Sequence, residues 1–182
     1  MNPMLAKNYD GRDPSGLWLS EKLDGVRAVW TGRELLTRAG NRIDCPAWFT
    51  QGLPSVSLDG ELWAGRGKFQ LAKGMAQSIG RDAEWRKIAF GVFDMPGVGR
   101  CEERFAALRR LHLPPHCFAV AQTRCTGTPH LSAVFDAVKA LGGEGVMLRL
   151  PLSPYLFGER SAYWQKVKRA PNSYAPNLSN AA

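Results

Sequence analysis

Two hydrophobic periods divide the chain: alternating stretches rich in β-branched and aromatic residues mark strands, and apolar residues three or four apart mark helices. The strand pattern opens in "WLSEKLDGVRAVWTG", Trp18 to Gly32, where large apolar residues flank an Asp-Gly step. Asp-Gly between two such runs predicts a hairpin. "GRELLTRAG" follows as a turn and a third strand, "CPAWFTQGLP" as a short helix closed by Gly-x-Pro, and "VSLDGELWAG" as a strand carrying acids. "GKFQLAKGMAQSIG" predicts a helix with a glycine stop, and "WRKIAFGVFDMPG" a buried strand ended by Pro and Gly. In "CEERFAALRRLHL", Phe105, Leu108 and Leu111 recur at helical spacing with basic residues beside them. "CFAVAQTR" reads as a strand, "PHLSAVFDAVKALGG" as a helix with a glycine C-cap, and "EGVMLRL" and "AYWQKVK" as two more strands. Strands dominate and several are hairpin-linked, which predicts an α+β fold with largely antiparallel sheets. "RAPNSYAPNLSNAA" has no period and is rich in Asn, Pro, Ser and Ala. The expected organisation is therefore a folded domain over 1–169 and a disordered tail over 170–182.

Composition narrows the class. A chain of 182 residues can bury one real core, and 45% hydrophobic with 22% charged residues is the balance of a soluble globular protein. No apolar run approaches the ~18 residues of a membrane span. "MNPMLAKNYDGRD" has no apolar stretch of the kind an export signal carries, so none is expected. The net charge of +8 favours a polyanionic partner, nucleic acid first, because Lys and Arg neutralise phosphates. Cys45, Cys101, Cys117 and Cys125 show no C-x-x-C spacing, which argues against a disulfide framework or a zinc site. His112 and His116 are separated by Pro114 and Pro115, so they cannot share one helix face as metal ligands.

Chemistry-bearing residues collect on the strands. Positions i and i+2 share a face, which puts Asp59 and Glu61 of "LDGEL" together and Lys166 and Lys168 of "WQKVK" together. Glu144 opens "EGVML" just after Gly142-Gly143. Each of these alone reads most simply as a solvated strand face. As a set, the carboxylates Asp59, Glu61 and Glu144 and the cations Lys22, Arg27, Arg38, Lys166 and Lys168 suit a metal–phosphate site, since Mg²⁺ takes one or two carboxylates and shares phosphate oxygens. A hairpin does not explain why Lys22, Asp24 and Arg27 crowd into six residues.

At these residues the chain resembles a family. "EKLDGVR" fits the K-x-D-G-x-R signature of the covalent nucleotidyltransferases, which comprise ATP-dependent DNA ligases, RNA ligases and mRNA capping enzymes. "LTRAG", "LDGELW", "FGVFDM", "EGVMLR" and "QKVK" resemble the family's further motifs and occur in its order, from about residue 18 to 168. The wording of "MLAKNYDG", "SEKLDGVRAVW", "NRIDCPAWFTQGLP" and "LDGELWAGRGKF" is most similar to the minimal bacterial ATP-dependent DNA ligases called Lig E.

The resemblance implies a nucleotidyltransferase (ATP-grasp-like) fold and a set of roles. Lys22 would attack the α-phosphate of ATP and form a lysyl-AMP phosphoramidate. A free lysine titrates near ~10.4, so the site must help it lose its proton. Glu21 would help read adenine, Asp24 would lie near the nucleophile and metal, Arg27 and Glu61 would hold the ribose, and Phe93 would stack on the base. Glu144, with Asp59, would bind Mg²⁺ or Mn²⁺. Lys166 and Lys168 would contact the α-phosphate and leaving pyrophosphate, and Arg38 the 5′-phosphate of nicked duplex DNA. Arg66, Lys68, Lys73, Arg109 and Arg110 are candidates for tracking the DNA backbone, against the simpler reading of solvated charge. Ligases of this kind continue into an OB-fold domain, whereas fourteen residues follow Lys168, too few for its five strands. The expectation is an adenylation domain without an OB fold, monomeric, sealing nicks weakly unless such a domain is supplied in trans. Its compartment would be cytoplasmic from the absent signal, or periplasmic from the family if a signal was removed. RNA ligase or capping chemistry, and a non-catalytic nucleotide- or DNA-binding remnant, stay open as alternatives.

Overall fold

The computed structural model describes residues 2–77, 82–97 and 99–174. One sheet runs in the order β1 (Leu5–Asn8), β10 (Arg160–Val167), β9 (Val146–Arg149), β2 (Trp18–Glu21), β8 (Thr123–Arg124). The other runs β4 (Leu35–Thr37), β3 (Val26–Trp30), β5 (Leu58–Trp63), β6 (Ala89–Asp94), β7 (Cys117–Ala119). Pairing is antiparallel except for β1 with β10 and β6 with β7, so the expected α+β class with largely antiparallel sheets is observed. The sequence pattern did not signal β1: "LAKN" is too short and too mixed to show a period.

The predicted hairpin around Asp24-Gly25 is absent. β2 and β3 belong to different sheets, and Lys22 to Gly25 is the crossover between them. The glycine serves closeness here rather than a turn. A Cβ on Gly25 would lie 2.1 Å from the Leu62 carbonyl oxygen, so the chain skims the backbone of β5 where no side chain fits. "CFAVAQTR" divides in the same way, with β7 in one sheet and β8 in the other. Between them the Val120 N–H still donates to the Val92 carbonyl at 2.7 Å.

Alternation along the strands sorts residues into three cores. Leu19, Val146, Leu148 and Val167 face outward from the first sheet and bury Leu131, Phe135 and Val138 of α4 (Thr128–Ala140). Its predicted glycine C-cap is present: Gly142 adopts φ +77°, and the Gly143 N–H returns to the Val138 carbonyl at 2.9 Å. Ala28, Trp30, Leu58, Leu62, Phe90 and Val92 face outward from the second sheet. They pack on Phe49 of α1 (Ala47–Thr50), Ala72 and Met75 of α2 (Phe69–Ala76), and Trp85 of the 3-10 turn Glu84–Lys87. Each fully buried large side chain contributes about 1.5–3 kcal/mol. The inner faces meet around Met4, Leu23, Phe93, Met147, Tyr155 and Trp164.

An ion pair lies beside this third core. Arg104 of α3 (Cys101–Leu108) and Asp94 at the end of β6 are both fully buried, with Arg104 Nε 2.6 Å from Asp94 Oδ1. Nη1 donates to the carbonyls of Gly99 (2.9 Å) and Ser153 (3.1 Å). The N–H groups of Cys101 and Glu102 reach the Ser153 and Pro151 carbonyls, so the β9–β10 connection satisfies the helix's free donors. Part of the expected tail is ordered: Pro171–Ser173 is a 3-10 turn, and the Tyr174 hydroxyl accepts from the N–H groups of Lys168 and Arg169. The rest of that tail, 175–182, and the glycine stop at Gly80 lie outside the described residues.

Two stability outcomes follow from these contacts. Gly25→Ala should lose about 1–3 kcal/mol or more to overpacking against β5. Arg104→Met should lose about 3–5 kcal/mol, because it strands the buried Asp94 carboxylate, and adding Asp94→Asn should restore part of that loss. Urea unfolding midpoints of the three variants measure both.

Candidate active site

β2 delivers Lys22 to the cleft between the inner faces. Its backbone N–H donates to the Gly145 carbonyl at 2.9 Å, which extends the β2–β9 pairing by one step into the crossover. Gly145 has no room for a side chain: a Cβ there would lie 2.2 Å from the Val167 carbonyl oxygen, on a backbone at φ +148°. Both requirements place Glu144 directly opposite the lysine. Lys22 Nζ donates to one Glu144 oxygen and Lys168 Nζ to the other. Desolvation pushes the Glu144 carboxyl upward, but the hydrogen bonds from Lys168 and Lys22 outweigh it and hold the group below the usual range.

The opposite wall comes from the second sheet. Arg27 Nε and Nη2 donate to the two oxygens of Asp59 at 2.6 Å each, and Nη2 also reaches the Met4 carbonyl at 3.2 Å. Asp59 is fully buried. Its Oδ2 accepts a further hydrogen bond from the Tyr155 hydroxyl at 2.6 Å. Arg27 and Glu61 are directly paired residues of β3 and β5, and both line the cleft. Burial pushes the Glu61 carboxyl up to about 7, with Arg27 and Lys22 pulling it partly back. Phe93 is nearly buried but keeps an edge in the cleft, and the Arg27 guanidinium carbon lies 4.7 Å from its ring centre. Lys166 sits on the far side, its pKa lowered by desolvation and then by the neighbouring cations Lys168, Arg160 and Lys22.

Most of the residues expected at a site therefore converge. Lys22, Glu21, Arg27, Arg38, Glu61, Phe93 and Lys166 line one cleft, and Glu144 joins its Lys22 to Lys168. Asp24 rides half-buried on the crossover. Glu21 is held by Arg66 through two hydrogen bonds of 2.8 and 2.7 Å. Asp59 has both oxygens taken by Arg27 and one by Tyr155, so it faces a guanidinium instead of open space. Among the described residues no three His, Cys, Asp or Glu side chains gather to hold a metal ion. The basic candidates divide: Arg66 lies at the Glu21 end of β2 and Lys68 and Lys73 are exposed on or beside α2, while Arg109 lies over Trp18, 5.8 Å from its ring, at the other end of the strand.

Four contributors lay outside the sequence reading. Met147 and Arg149 line the cleft because alternation points them inward from β9, a signal available in "EGVMLR". Among the described residues, buried Arg149 has no carboxylate partner. Its Nη1 donates to Ser20 Oγ at 2.8 Å, its Nε has no partner, and desolvation lowers its pKa. Tyr155 comes from the β9–β10 connection, where no period exists to read, and Arg160 is the first residue of β10. The four cysteines are free thiols, and burial pushes those of Cys101 and Cys117 up to about 12, as inert core groups require. His116 is a packing histidine, with its Nε2 2.7 Å from the Phe49 carbonyl oxygen.

No family model matches the chain. It is 37% identical over 172 residues to a DNA ligase of Haemophilus influenzae, a match that takes in 92% of the chain and 63% of that protein. The chain thus spans less than two thirds of the length of this relative. A solved structure from a structure–function study of Lig E DNA ligases superposes with a TM-score of 0.85 at 37% identity, over 93% of this chain and 69% of that one. Chlorella virus DNA ligase-adenylate gives 0.76 at 19% identity, over 92% and 69%. The ATP-dependent DNA ligase of bacteriophage T7 with ATP gives 0.69 at 17%, over 92% and 68%, and like the virus enzyme it speaks for the fold alone. With both identity and coverage carried by the Lig E structure, and with the lysine, its carboxylate partner and the opposing arginine brought into one cleft, the chain belongs to the Lig E family of DNA ligases.

Proposed function

We propose that this chain is the adenylation domain of an ATP-dependent DNA ligase and that Lys22 is its nucleophile. The observation that carries this reading is the Lys22–Glu144–Lys168 cluster facing Arg27, Glu61 and Phe93 across one cleft. Lys22 Nζ, once deprotonated, attacks the α-phosphorus of ATP. The bond to the bridging oxygen breaks, pyrophosphate leaves, and AMP stays on the lysine as a phosphoramidate. Lys166 and Lys168 offset the charge that builds on the phosphates. Phe93 packs against adenine, with Glu21 beside the base, and Arg27 and Glu61 hold the ribose hydroxyls. A 5′-phosphate oxygen of nicked DNA, met by Arg38 at the rim, next displaces the lysine from the AMP phosphorus. The adjacent 3′-hydroxyl then attacks the 5′-phosphorus and releases AMP. Exposed Lys68 and Lys73 lie on the surface that DNA would follow, and an OB-fold domain would complete the grip.

Mg²⁺ or Mn²⁺ fits at Glu144. Both oxygens of that carboxylate already hold cationic groups, and a single carboxylate is what Mg²⁺ uses when phosphate oxygens supply further ligands. Asp59, engaged on both oxygens by Arg27, stands behind this position as support for the arginine. A bound divalent ion would neutralise phosphate charge, and Lys22 and Lys168 would then turn from Glu144 toward the substrate.

Incubation with α-labelled ATP and Mg²⁺, followed by a denaturing gel, should label the protein, and Lys22→Ala should abolish the band. α-Labelled GTP should give none, whereas a GTP band would point to capping-type chemistry. A pH effect should accompany this. As pH rises through about 7, Glu61 passes from its neutral form to the carboxylate, which is the stronger acceptor for the ribose hydroxyls. The ATP concentration for half-maximal labelling should therefore rise as pH falls from about 8 to about 6, and Glu61→Gln should flatten that rise.

A further inference from the structure

The structure assigns Tyr155 as a positioning residue that fixes the Arg27 guanidinium through Asp59; the substrate it serves rests on the reading of Arg27 as a ribose ligand. Tyr155 stands on the connection between β9 and β10 and points across the gap between the sheets. Its hydroxyl donates to Asp59 Oδ2 at 2.6 Å and accepts from the Met4 N–H at 3.1 Å. One hydroxyl thus ties together β5, the approach to β1 and the β9–β10 connection. Asp59 in turn holds Arg27 with both oxygens, and the Met4 carbonyl takes a third hydrogen of the same guanidinium.

The geometry leaves the arginine little freedom. A carboxylate can swing about its Cβ–Cγ bond, and Asp59 is an end group with a Gly60 neighbour and a local break in strand register beside it. Arg27 alone would turn with the carboxylate. The Tyr155 hydrogen bond defines which oxygen faces which sheet, and that sets the plane in which the guanidinium presents its remaining N–H groups to the cleft. Burial and the Asp59 charge push the phenol well above its ordinary range, so at neutral pH it is protonated and a donor. The ring is held separately, edge-on to Trp164 at 5.7 Å and tilted against Phe157 at 4.9 Å, so removing the oxygen leaves the packing in place.

Tyr155→Phe tests this. The ATP concentration for half-maximal labelling of Lys22 should rise about tenfold, with the plateau rate within about twofold of wild type. That penalty should shrink when 2′-deoxy-ATP or 3′-deoxy-ATP replaces ATP, because Arg27 then has one hydroxyl fewer to hold. Tyr155→Phe added to Arg27→Ala should bring no further loss. Ser153→Ala, in the same connection but bonded only to the Leu150 carbonyl through its hydroxyl, should leave all three readouts unchanged. The Arg27 Nε–H resonance, recorded without nucleotide, should shift or broaden in Tyr155→Phe and stay put in Ser153→Ala. An unmoved resonance, or an additive loss on top of Arg27→Ala, would overturn the assignment. A wild-type protein that never labels would count against the adenylation reading instead, and the resonance would still decide the role of Tyr155.

Discussion

Arg27 and Asp59 sit one diagonal step apart on neighbouring strands, and the cleft depends on the pair staying where it is. An arginine and an aspartate without water around them are tolerated only when their hydrogen-bonding groups are met, since desolvation costs several kcal/mol per ion. Here the carboxylate receives Nε, Nη2 and the Tyr155 hydroxyl, and the guanidinium gives one more bond to the Met4 carbonyl. Two of these partners belong to the other sheet or its connections. The pair therefore sets the spacing of the sheets at one end of their interface, and the cleft opens where the pairing stops. Asp94 and Arg104 do the same from the side of α3, with the β9–β10 connection again supplying the carbonyls.

Against these satisfied buried ions stands a cleft whose charges are not balanced. Glu144 serves Lys22 and Lys168 at once, and Lys166 is surrounded by Lys168, Arg160 and Lys22, which together with desolvation disfavour its charged form. Glu61 is driven the other way, toward its neutral form, by burial. Crowded like charges cost folding free energy, and an anionic polyphosphate between them relieves it. The rigid buried pairs and the strained open cluster are complementary: the first hold still the residues that the second keeps in excess positive charge. Proteins commonly depart from local consistency at their functional sites, and the cleft is such a departure.

Much of this was legible in the chain. Period-2 runs located β2, β3, β5, β6, β9 and β10, helical spacing located α3 and α4, and short motifs in a fixed order pointed to Lys22, Arg27, Glu61, Glu144, Lys166 and Lys168. These signals are local. A strand's alternation follows from its own pleat, and a helix's period from its own pitch. What they could not convey is partnership. Asp24-Gly25 obeys every local rule for a hairpin and is instead a crossover, because the glycine answers to the Leu62 carbonyl of a strand more than thirty residues away. Asp59 carries the same local signal as Glu61, yet one is locked behind an arginine and the other faces the cleft, a difference made by a break in register and by Tyr155. That tyrosine lies in a connection with no period, so nothing in its neighbours in sequence marks it. The chain's own pattern was enough for element type, face and the list of reactive groups, since each is governed by residues within a turn or a pleat. Which strands share a sheet, which carboxylate is free and which hydroxyl braces it depend on contacts between distant segments, and those exist only once the two sheets have closed on each other.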